Sequence, residues 1–379
     1  MNKLPNNLNT VVILDQASGY LQIDMLEAYE RQYKGRAIVA GTLVERNTRL
    51  PTDVQWHQIT RYDRSTPVKR IFTWLAGTIG MFWAVFRYYR NAHIVAITNP
   101  PFSIFVPWLL GCSYDLVIYD MYPDALAQYN YLSSRSPIYR FWVALNKKAF
   151  RRAKKIYTLT EGMKKLVSQY ANDESSIEVI PLWSESSDFE VVARKDNLIL
   201  KETKSLDKFN LVYSGNLGKA HPVEKLVHLG EYLDPRKFSI IIIGGGHKKK
   251  MLEELQREKQ YPHVHLLPWQ PIERLSHNLC AGDINVVTLD EQASHLSIPS
   301  KTFNILSIGN PILGICAEHS GLAELIHNAQ CGLITDGTDL KELAQQINAL
   351  ERDQHKLEQL RHNSRLASQH FTKANAYAY

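Results

Sequence analysis

Short apolar runs rich in valine and isoleucine recur along this 379-residue chain and alternate with segments of helical periodicity. Such runs lack regularly alternating polar positions, and they are typical of strands buried on both faces of a parallel sheet. In the first half of the chain the predicted strands are residues 10–14, 37–44, 93–98, 115–120 and 154–160, with 177–183 as a candidate final strand. The pattern therefore predicts an α/β domain in this half.

The same pattern restarts after a polar stretch, residues 184–207, which we interpret as a linker. The second set of predicted strands comprises residues 209–215, 238–245, 264–268, 283–289 and 311–316. Helices are predicted near residues 222–233, 248–260, 271–280, 300–309 and 319–328, and the pattern is helical from about residue 340 onward.

Two successive arrays of this kind predict two Rossmann-like domains that face each other across a cleft, with ligands beyond the carboxyl ends of the strands. The predicted N-terminal domain comprises residues 1–190, and the predicted C-terminal domain comprises residues 191–361. We expect a last helix, about residues 362–379, to cross back and pack on the first domain.

Positive charge is concentrated in the first part of the chain. Residues 1–170 contain 22 Lys/Arg and 11 Asp/Glu, whereas the whole chain has a formal net charge of +6. This asymmetry predicts an anionic partner for the N-terminal half, either a membrane surface or a phosphorylated substrate. The basic residues form no recognisable nucleic-acid-binding motif, so we predict that nucleic acid is not a partner.

Residues 71–86 form an uninterrupted run of 16 uncharged residues between Lys69-Arg70 and Arg87. The run is shorter than the roughly 20 residues that a membrane-spanning helix requires. It could be a buried helix of the first domain, or a helix that lies in the membrane interface between basic and aromatic flanks. The charge asymmetry favours the interfacial alternative.

Cysteine spacing and the N-terminus bear on the compartment. The four cysteines have no paired spacing, which predicts buried thiols in a reducing environment, without a disulfide framework or a metal site. The first ten residues lack the apolar run of a signal peptide. We therefore predict a cytoplasmic protein.

Residues 289–314 combine a strand end, a loop, a Pro299-Ser300-Lys301 turn, a short helix and a new strand. The hydroxyl of Ser300 could cap the helix, and the free amide groups with the helix dipole would form an anion site. Lys301 in the first turn opposes the dipole, so a bound phosphate would explain it. A solvated lysine beside an ordinary cap is the alternative.

A second lysine-bearing turn, Tyr213 to Lys219, directly follows a predicted strand. Gly215 and Gly218 would let backbone amides approach a ligand, and Lys219 could reach a phosphate as a point charge. The alternative is a glycine-rich turn with an exposed lysine. Because both turns lie at carboxyl ends of strands, we predict that Lys219 and Lys301 converge on one diphosphate.

Other strand ends carry weaker signals. Asp120 could orient a hydroxyl, act as a base or simply cap a helix, and Asn99 ends the neighbouring strand. Residues 244–246 are three glycines after a strand, but neither they nor the turn at residues 15–20 complete a GxGxxG dinucleotide fingerprint. The glycines could serve close approach to a nucleotide or a tight turn. The missing fingerprint disfavours a Rossmann dehydrogenase.

Six segments, in this order and spacing, resemble family 4 glycosyltransferases of the GT-B fold, specifically the bacterial exopolysaccharide and O-antigen branch. They are TNPPFS (98–103), YDMYPDAL (119–126), RRAKKIYTLTEGMKKL (151–166), IEVIPLW (177–183), YSGNLGKAH (213–221) and IPSKTFNILSIGNPIL (298–313). Together they span nearly the whole chain.

The resemblance implies retaining transfer from a UDP- or GDP-sugar as co-substrate, without a metal or other cofactor. The second domain would bind the donor, and the first would bind the acceptor, a polyprenyl-diphosphate-linked glycan at the inner face of the cell membrane. The implied catalytic residues are Lys219, Lys301 and Asp120. The implied donor-binding residues are Gly215, Asn216, Gly245, Gln270, Ser300, Thr302 and Asn304. The implied acceptor-binding residues are Ser18, Gly19, Asn99 and Tyr119.

Some positions depart from the family pattern. Leu296 and Asn304 stand where many members carry two glutamates, and Asn216 stands where many carry an arginine. An asparagine can still bond a ribose hydroxyl, whereas Leu296 cannot hold a sugar hydroxyl. Two alternatives follow: a catalytically silent GT-B scaffold, or a nucleotide-sugar epimerase that would use His221 and His295.

Overall fold

The computed structural model describes residues 9–46, 48–292 and 298–379. The chain divides into two compact units, here called the N-terminal unit (Met1–Leu182 with Lys373–Tyr379) and the C-terminal unit (Trp183–Thr372). Both units are built around a parallel sheet, so the prediction of two α/β domains is confirmed. The segment that returns to the N-terminal unit is shorter than the predicted helix of about residues 362–379.

Strands β1 to β9 belong to the N-terminal unit. They are β1 (Thr10–Leu14), β2 (Ala17–Gly19), β3 (Gly35–Ala40), β4 (Thr42–Val44), β5 (Gln55–Gln58), β6 (His93–Ile97), β7 (Ser113–Ile118), β8 (Ile156–Thr158) and β9 (Ile177–Val179). The main sheet has the order β5-β3-β1-β6-β7-β8-β9, and β2 pairs with β4 in a separate parallel ribbon.

Helices α1 to α6 flank this sheet. They are α1 (Tyr20–Ala28), α2 (Pro67–Ala84), α3 (Phe105–Leu110), α4 (Asp124–Gln128), α5 (Pro137–Phe150) and α6 (Glu161–Val167). A π-helical turn, Val85–Tyr89, continues α2. Short 3-10 turns are Tyr29–Arg31, Glu174–Ser176 and Lys373–Ala378.

The C-terminal unit contains strands β10 to β15 in the order β12-β11-β10-β13-β14-β15. They are β10 (Phe209–Asn216), β11 (Phe238–Gly245), β12 (Val264–Leu267), β13 (Ile284–Thr288), β14 (Ile312–Ile315) and β15 (Gly332–Thr335). Its helices are α7 (Leu198–Glu202), α8 (Glu224–Leu229), α9 (Lys249–Lys259), α10 (Leu275–Cys280), α11 (Lys301–Ser307), α12 (Gly321–Ala329), α13 (Leu340–Arg352) and α14 (Gln354–Ser368).

The predicted linker and one predicted strand differ from the structure. Ile199 and Leu200 on α7 are fully buried against β10 and β11, so much of the predicted linker packs on the C-terminal unit. The single strand predicted at residues 37–44 is two strands, because the chain leaves the main sheet at Gly41. There the backbone N–H groups of Gly41 and Thr42 both donate to the carbonyl of Gln16, at 3.0 and 3.2 Å.

Helix α2 is fixed to the sheet through Gln16, which is fully buried in the loop after β1. The Gln16 amide donates to the carbonyls of Thr73 (2.7 Å) and Thr60 (2.9 Å). The helix approaches so closely that a Cβ at Gly77 would lie 2.3 Å from Gln16 Nε2. A glycine is therefore required where α2 crosses this loop. In the described part of the chain, no helix is long and apolar enough to cross a bilayer.

The returning segment and the cysteines complete the fold. Lys373 pairs with Asp24 (3.1 Å) and Glu27 on α1, and the Tyr379 ring lies 4.9 Å from that of Tyr157. These contacts place the last seven residues on the N-terminal unit. All four cysteines are free thiols, and only Cys280 is partly exposed.

Candidate functional site

Three glycines bring the carboxyl ends of β10 and β11 together. Gly215, Gly244 and Gly246 have φ values of +157°, +152° and +149°, which side-chain-bearing residues rarely adopt. A Cβ at Gly244 would lie 1.9 Å from the Gly215 carbonyl oxygen, and one at Gly246 would lie 2.6 Å from Asn216 Oδ1. Gly244 and Gly246 therefore serve close packing between the two strand ends.

Lys301, the first residue of α11, directs its amine beneath the β10 turn. Its Nζ lies 3.5 Å from the centroid of the Tyr213 ring, and a Cβ on Gly215 would be 3.1 Å from the same atom. Nζ is shielded from solvent and has no hydrogen-bond partner among the described residues. Removal from water lowers the pKa of Lys301 well below its usual value. The site thus holds a buried amine whose only described stabilising contact is an aromatic ring.

His221 follows the same turn and is held by backbone. Its Nδ1 lies 2.7 Å from the carbonyl oxygen of Thr288, and since a carbonyl can only accept, Nδ1 is the protonated nitrogen. Burial, and then the nearby Lys301, lower the pKa of His221 to about 4. At neutral pH this imidazole is therefore uncharged and does not neutralise an anion.

The predicted cap at Ser300 is wrong. Ser300 has helical backbone angles (φ −57°, ψ −27°) and its side chain makes no capping bond, whereas a capping residue normally needs an extended backbone. The turn is closed instead by the Thr302 N–H, which donates to the Pro299 carbonyl at 2.9 Å. The Thr302 side chain is fully buried, and its Oγ1 has no hydrogen-bond partner among the described residues. Asn304 Oδ1 accepts from Ser184 Oγ at 2.9 Å.

The other donor-site candidates lie at neighbouring strand ends of the C-terminal unit. Lys219 and Asn216 are exposed. Gly245 is buried, and a Cβ there would be 2.8 Å from the Trp269 indole. Gln270 accepts from Arg274 at 3.1 Å and donates to the Pro268 carbonyl. Leu296 and His295 lie outside the described residues. Convergence of Lys219 with Lys301 on one diphosphate stays a prediction.

Among the described residues of this unit, cavities open at the ends of the strands, and two of them differ in size and lining. The smaller, about 190 Å³, lies between α9 and the ends of β11 and β12 and is lined mainly by apolar groups, including Leu217, Gly244 and Pro268. The larger, about 480 Å³, lies at the ends of β13 to β15 and is lined by Lys225 and several carboxylates. The smaller cavity adjoins the glycines that join β10 and β11.

In the N-terminal unit, a buried carboxyl at Asp15 organises the polar side chains that follow β1 and β6. Asp15 Oδ1 accepts from Asn99 Nδ2 (3.0 Å) and from the Ala17 N–H (3.2 Å), and Ser18 Oγ donates to the Asp15 carbonyl (2.9 Å). Burial is the largest effect and raises the pKa of Asp15 to about 7, against these hydrogen bonds. Asp15 therefore exchanges a proton near neutral pH.

Gln22 links two further acceptor candidates. Its Oε1 accepts from the Gly19 N–H at 2.9 Å, and its Nε2 donates to the Tyr119 hydroxyl at 3.2 Å. The structure thus brings Ser18, Gly19, Asn99 and Tyr119 into one neighbourhood. Sequence reasoning assigned no role to Asp15 or Gln22, although a carboxylate directly after a buried strand was a usable signal.

Asp120 lies just beyond β7 and is exposed, with its N–H donating to Thr98 Oγ1 at 3.2 Å. The guanidinium of Arg70 on α2 interacts electrostatically with the Asp120 carboxylate. Arg70 also donates to the Tyr122 hydroxyl at 3.0 Å. Arg70, which the sequence marked only as a basic flank, is therefore a neighbour of the candidate catalytic carboxylate.

Among the described residues, no three His, Cys, Asp or Glu side chains are grouped so that they could hold a metal ion.

Comparisons with known proteins agree with this architecture. Residues 195–367 match the family described as Glycosyl transferases group 1. The chain is 22% identical over 265 residues to "Probable glycosyltransferase WbjE" of Pseudomonas aeruginosa, covering 69% of this chain and 66% of the relative. It is 25% identical over 172 residues to "Putative colanic acid biosynthesis glycosyl transferase WcaI" of Escherichia coli (strain K12), covering 45% and 42%. The matches thus span less than two thirds of either relative.

The crystal structure of Alr3699/HepE from Anabaena, in complex with UDP and glucose, has the same fold, with a TM-score of 0.73, 15% identity and 97% of each chain covered. The two parallel-sheet units, together with the similarity to HepE over 97% of each chain, show the GT-B fold.

Proposed function

We propose that this enzyme is a retaining, family 4 glycosyltransferase that moves a sugar from a nucleotide-diphosphate sugar to a glycan acceptor in cell-surface polysaccharide synthesis. The observation that carries the proposal is the buried, unpartnered amine of Lys301 among the described residues of the C-terminal unit. An amine held out of water without a partner is unfavourable unless an anion joins it. The diphosphate of a nucleotide sugar is such an anion.

The lysine would act on the leaving group. As the sugar departs, negative charge builds on the nucleoside diphosphate, and a preorganised cation in a poorly solvated site stabilises that charge. Lys301, beneath Gly215, provides one such group. Lys219, exposed in the turn that follows Gly215, provides a second. With no nucleophile assigned, we propose that departure and attack occur on the same face of the sugar.

The rest of the donor would extend along the strand ends. We assign the nucleobase to the cavity of about 190 Å³ beside β11 and β12, close to Gln270. Asn304, whose amide is oriented by Ser184, would bond the ribose. HepE, which shares the fold, was solved with UDP and glucose, and this supports a nucleotide sugar as the partner.

The acceptor would bind the N-terminal unit. Ser18, Gly19, Asn99 and Tyr119 present polar groups there, and Asp120 would orient a hydroxyl or take its proton. The first 170 residues contain 22 Lys/Arg and 11 Asp/Glu, and this excess of positive charge fits an anionic acceptor such as a polyprenyl-diphosphate-linked glycan. Such an acceptor would place the enzyme at the inner face of the cell membrane. The relative WcaI is named for colanic acid biosynthesis, and this supports a role in polysaccharide synthesis.

The decisive experiment is a panel of UDP- and GDP-sugars, with transfer and donor hydrolysis followed by chromatography and the product anomer assigned by NMR. We expect one donor to be consumed and the anomeric configuration to be retained. An inverted product would exclude the retaining assignment. Nucleotide binding without transfer or hydrolysis would identify a silent scaffold, and an altered free nucleotide sugar would identify an epimerase.

A further inference from the structure

The outward face of α2 is apolar along its whole length. Six side chains spaced three or four residues apart are between 44% and 77% exposed: Val68, Phe72, Leu75, Ile79, Trp83 and Phe86. This spacing places them on one side of the helix. We call them the apolar band. A surface helix normally turns charged and polar residues outward, so the reversed pattern marks an interaction surface.

The band is displayed by a fixed helix. Thr66 Oγ1 accepts from the Lys69 N–H at 3.2 Å and caps the start of α2. The inner face is buried at Trp74 and Met81, and Gln16 binds the helix to the loop after β1. The apolar side chains are therefore held in place before any partner arrives, which lowers the entropic penalty of binding.

Two neighbouring helices extend the surface. Helix α2 packs on α3, and α3 packs on α5. Leu109 on α3, with Ile138 and Phe141 on α5, are each about two-thirds exposed (63%, 67% and 66%). Three adjacent helices of the N-terminal unit thus expose large apolar side chains.

Charge determines which partner fits. From Arg64 to Arg90 the chain contains five Lys/Arg and no Asp/Glu, and all the charges lie outside residues 71–86. Arg64 and Lys69 are exposed near the start of the band, and Arg87 and Arg90 are exposed after its end. An apolar stripe between basic ends matches a bilayer, whose anionic headgroups lie beside its hydrocarbon.

We infer that the apolar band inserts into the boundary between headgroups and acyl chains of an anionic bilayer, with α2 in the membrane plane. Trp83 lies on the inserted face near the basic end, where interfacial aromatic residues are favoured. Insertion of these side chains would add to the electrostatic attraction between the basic surface and anionic lipid. Its biological setting, a lipid-linked acceptor, rests on the proposed function.

Insertion of α2 would also orient the N-terminal unit toward such an acceptor. Arg70 lies on the same helix, bonds Tyr122 and acts on Asp120. A lipid diphosphate at headgroup level would meet this guanidinium beside the candidate catalytic carboxylate. The membrane surface and the acceptor site are therefore neighbours in this unit.

The test measures partition of the full chain onto vesicles of phosphatidylcholine with a minority of phosphatidylglycerol, without donor or acceptor. The band variant is Phe72→Ser/Ile79→Ser/Trp83→Ser. We expect it to bind about a hundredfold more weakly or worse, because each large apolar side chain contributes more than a factor of ten. The matched control, Val191→Ser/Tyr232→Ser/Ile272→Ser, removes exposed apolar groups of the C-terminal unit and should bind like the wild type.

Insertion is distinguished from adsorption by two further readouts. Wild-type binding should persist in part at high salt, and acyl-chain-brominated lipids should quench tryptophan fluorescence less in Trp83→Phe than in the wild type. Complete release by salt, or equal quenching in Trp83→Phe, would overturn insertion. Vesicle binding by the band variant that equals wild-type binding would also overturn insertion. So would a wild-type dimer that the band substitutions convert to monomers, because a second copy of the chain would then cover the band.

The proposed function can fail separately. Transfer to a water-soluble acceptor, measured without vesicles, should be unchanged in the band variant if circular dichroism and melting temperature show that it folds. Absent transfer with intact vesicle binding would contradict the glycosyltransferase proposal alone. Normal transfer with no vesicle binding by the wild type would contradict insertion alone.

Discussion

The Nζ atom of Lys301 lies 3.5 Å from the centroid of the Tyr213 ring, at the place where β10 ends and α11 begins. The ring provides some electrostatic stabilisation for a cation, but no hydrogen bond reaches Nζ from the described residues. The pair therefore holds an amine out of water at the end of β10, where an anion would stabilise its charge. Two predictions follow from this contact.

Replacing Lys301 should weaken nucleoside diphosphate binding and, at the same time, stabilise the fold. Lys301→Met keeps the length of the side chain and removes its charge, so we expect nucleoside diphosphate affinity to fall by about 1.5–3 kcal/mol, the usual worth of a charge-assisted bond. The same variant should melt at a higher temperature at neutral pH, because a desolvated amine is lost. Calorimetry with UDP and GDP checks the first effect. Lys237→Ala, at the opposite end of β11, is the control, and unchanged affinity in Lys301→Met would remove this lysine from the mechanism.

Donor binding should take up a proton. Burial lowers the pKa of Lys301 in the free protein, and a diphosphate beside Nζ would raise it again. Between the two pKa values the affinity should therefore fall as the pH rises. Calorimetry in buffers of different ionisation enthalpy measures the uptake, which Lys301→Met should abolish. Zero uptake in the wild type, at a pH where the diphosphate is fully ionised, would contradict this coupling.

The sequence predicted those features of this site that depend on local patterns, and it missed those that depend on contacts between distant parts of the chain. The strands followed from continuous apolar runs, so the positions of Gly215 and Lys301 at strand and helix ends were predictable. The burial of Lys301 was not, because it arises from packing beneath Gly215, a residue 86 positions away in the chain. Strands β5 and β15 were missed because QWHQ and GLIT are only partly buried and lack an apolar run.

Asp120 should matter for turnover and not for donor affinity. We expect Asp120→Asn to lower kcat by about 10²- to 10⁴-fold, the usual range for a group that transfers or orients a proton, with unchanged nucleotide binding. Asp124→Asn, at the start of α4, is the matched comparison. Its carboxylate accepts from Tyr139 (2.9 Å) and Tyr170 (2.6 Å), so that variant should lose stability first. Steady-state kinetics and melting curves distinguish the two variants. A kcat of Asp120→Asn equal to that of the wild type would exclude the role assigned to Asp120.

Asp15 should make the stability of the N-terminal unit depend on pH. Its pKa is about 7 in the folded chain and 3.8 when unperturbed. Between these values the unfolded chain binds fewer protons than the folded one, so stability should fall as the pH rises, by up to roughly 4 kcal/mol. Asp15→Asn should remove this slope and melt at a higher temperature than the wild type at about pH 8, with little difference at about pH 4. Asp207→Asn, an exposed site, should leave the slope unchanged, and parallel curves for the wild type and Asp15→Asn would refute the burial argument.

The strand-end glycines should tolerate no side chain. Gly244→Ala would place a Cβ 1.9 Å from the Gly215 carbonyl oxygen at a φ of +152°. Strain and overpacking together should cost about 2–5 kcal/mol. Gly321→Ala is the matched control, because its nearest neighbours would be at ordinary contact distance, 3.5 Å from Ile298. Chemical denaturation of both variants checks this, and similar losses would show that Gly244 is not specially constrained.

The close packing of Gly244 and Gly246 also bears on attempts to engineer the protein. In a random library that includes these positions, most variants would misfold, whichever sugar donor is sought. Variation aimed at a new sugar is better directed to outward-facing neighbours such as Asn216 and Trp269, where new side chains have room to point away from the strands. The closely packed strand ends should keep the same backbone conformation in all variants at Asn216 and Trp269. Differences in sugar selectivity between these variants could then be attributed to the substituted side chains.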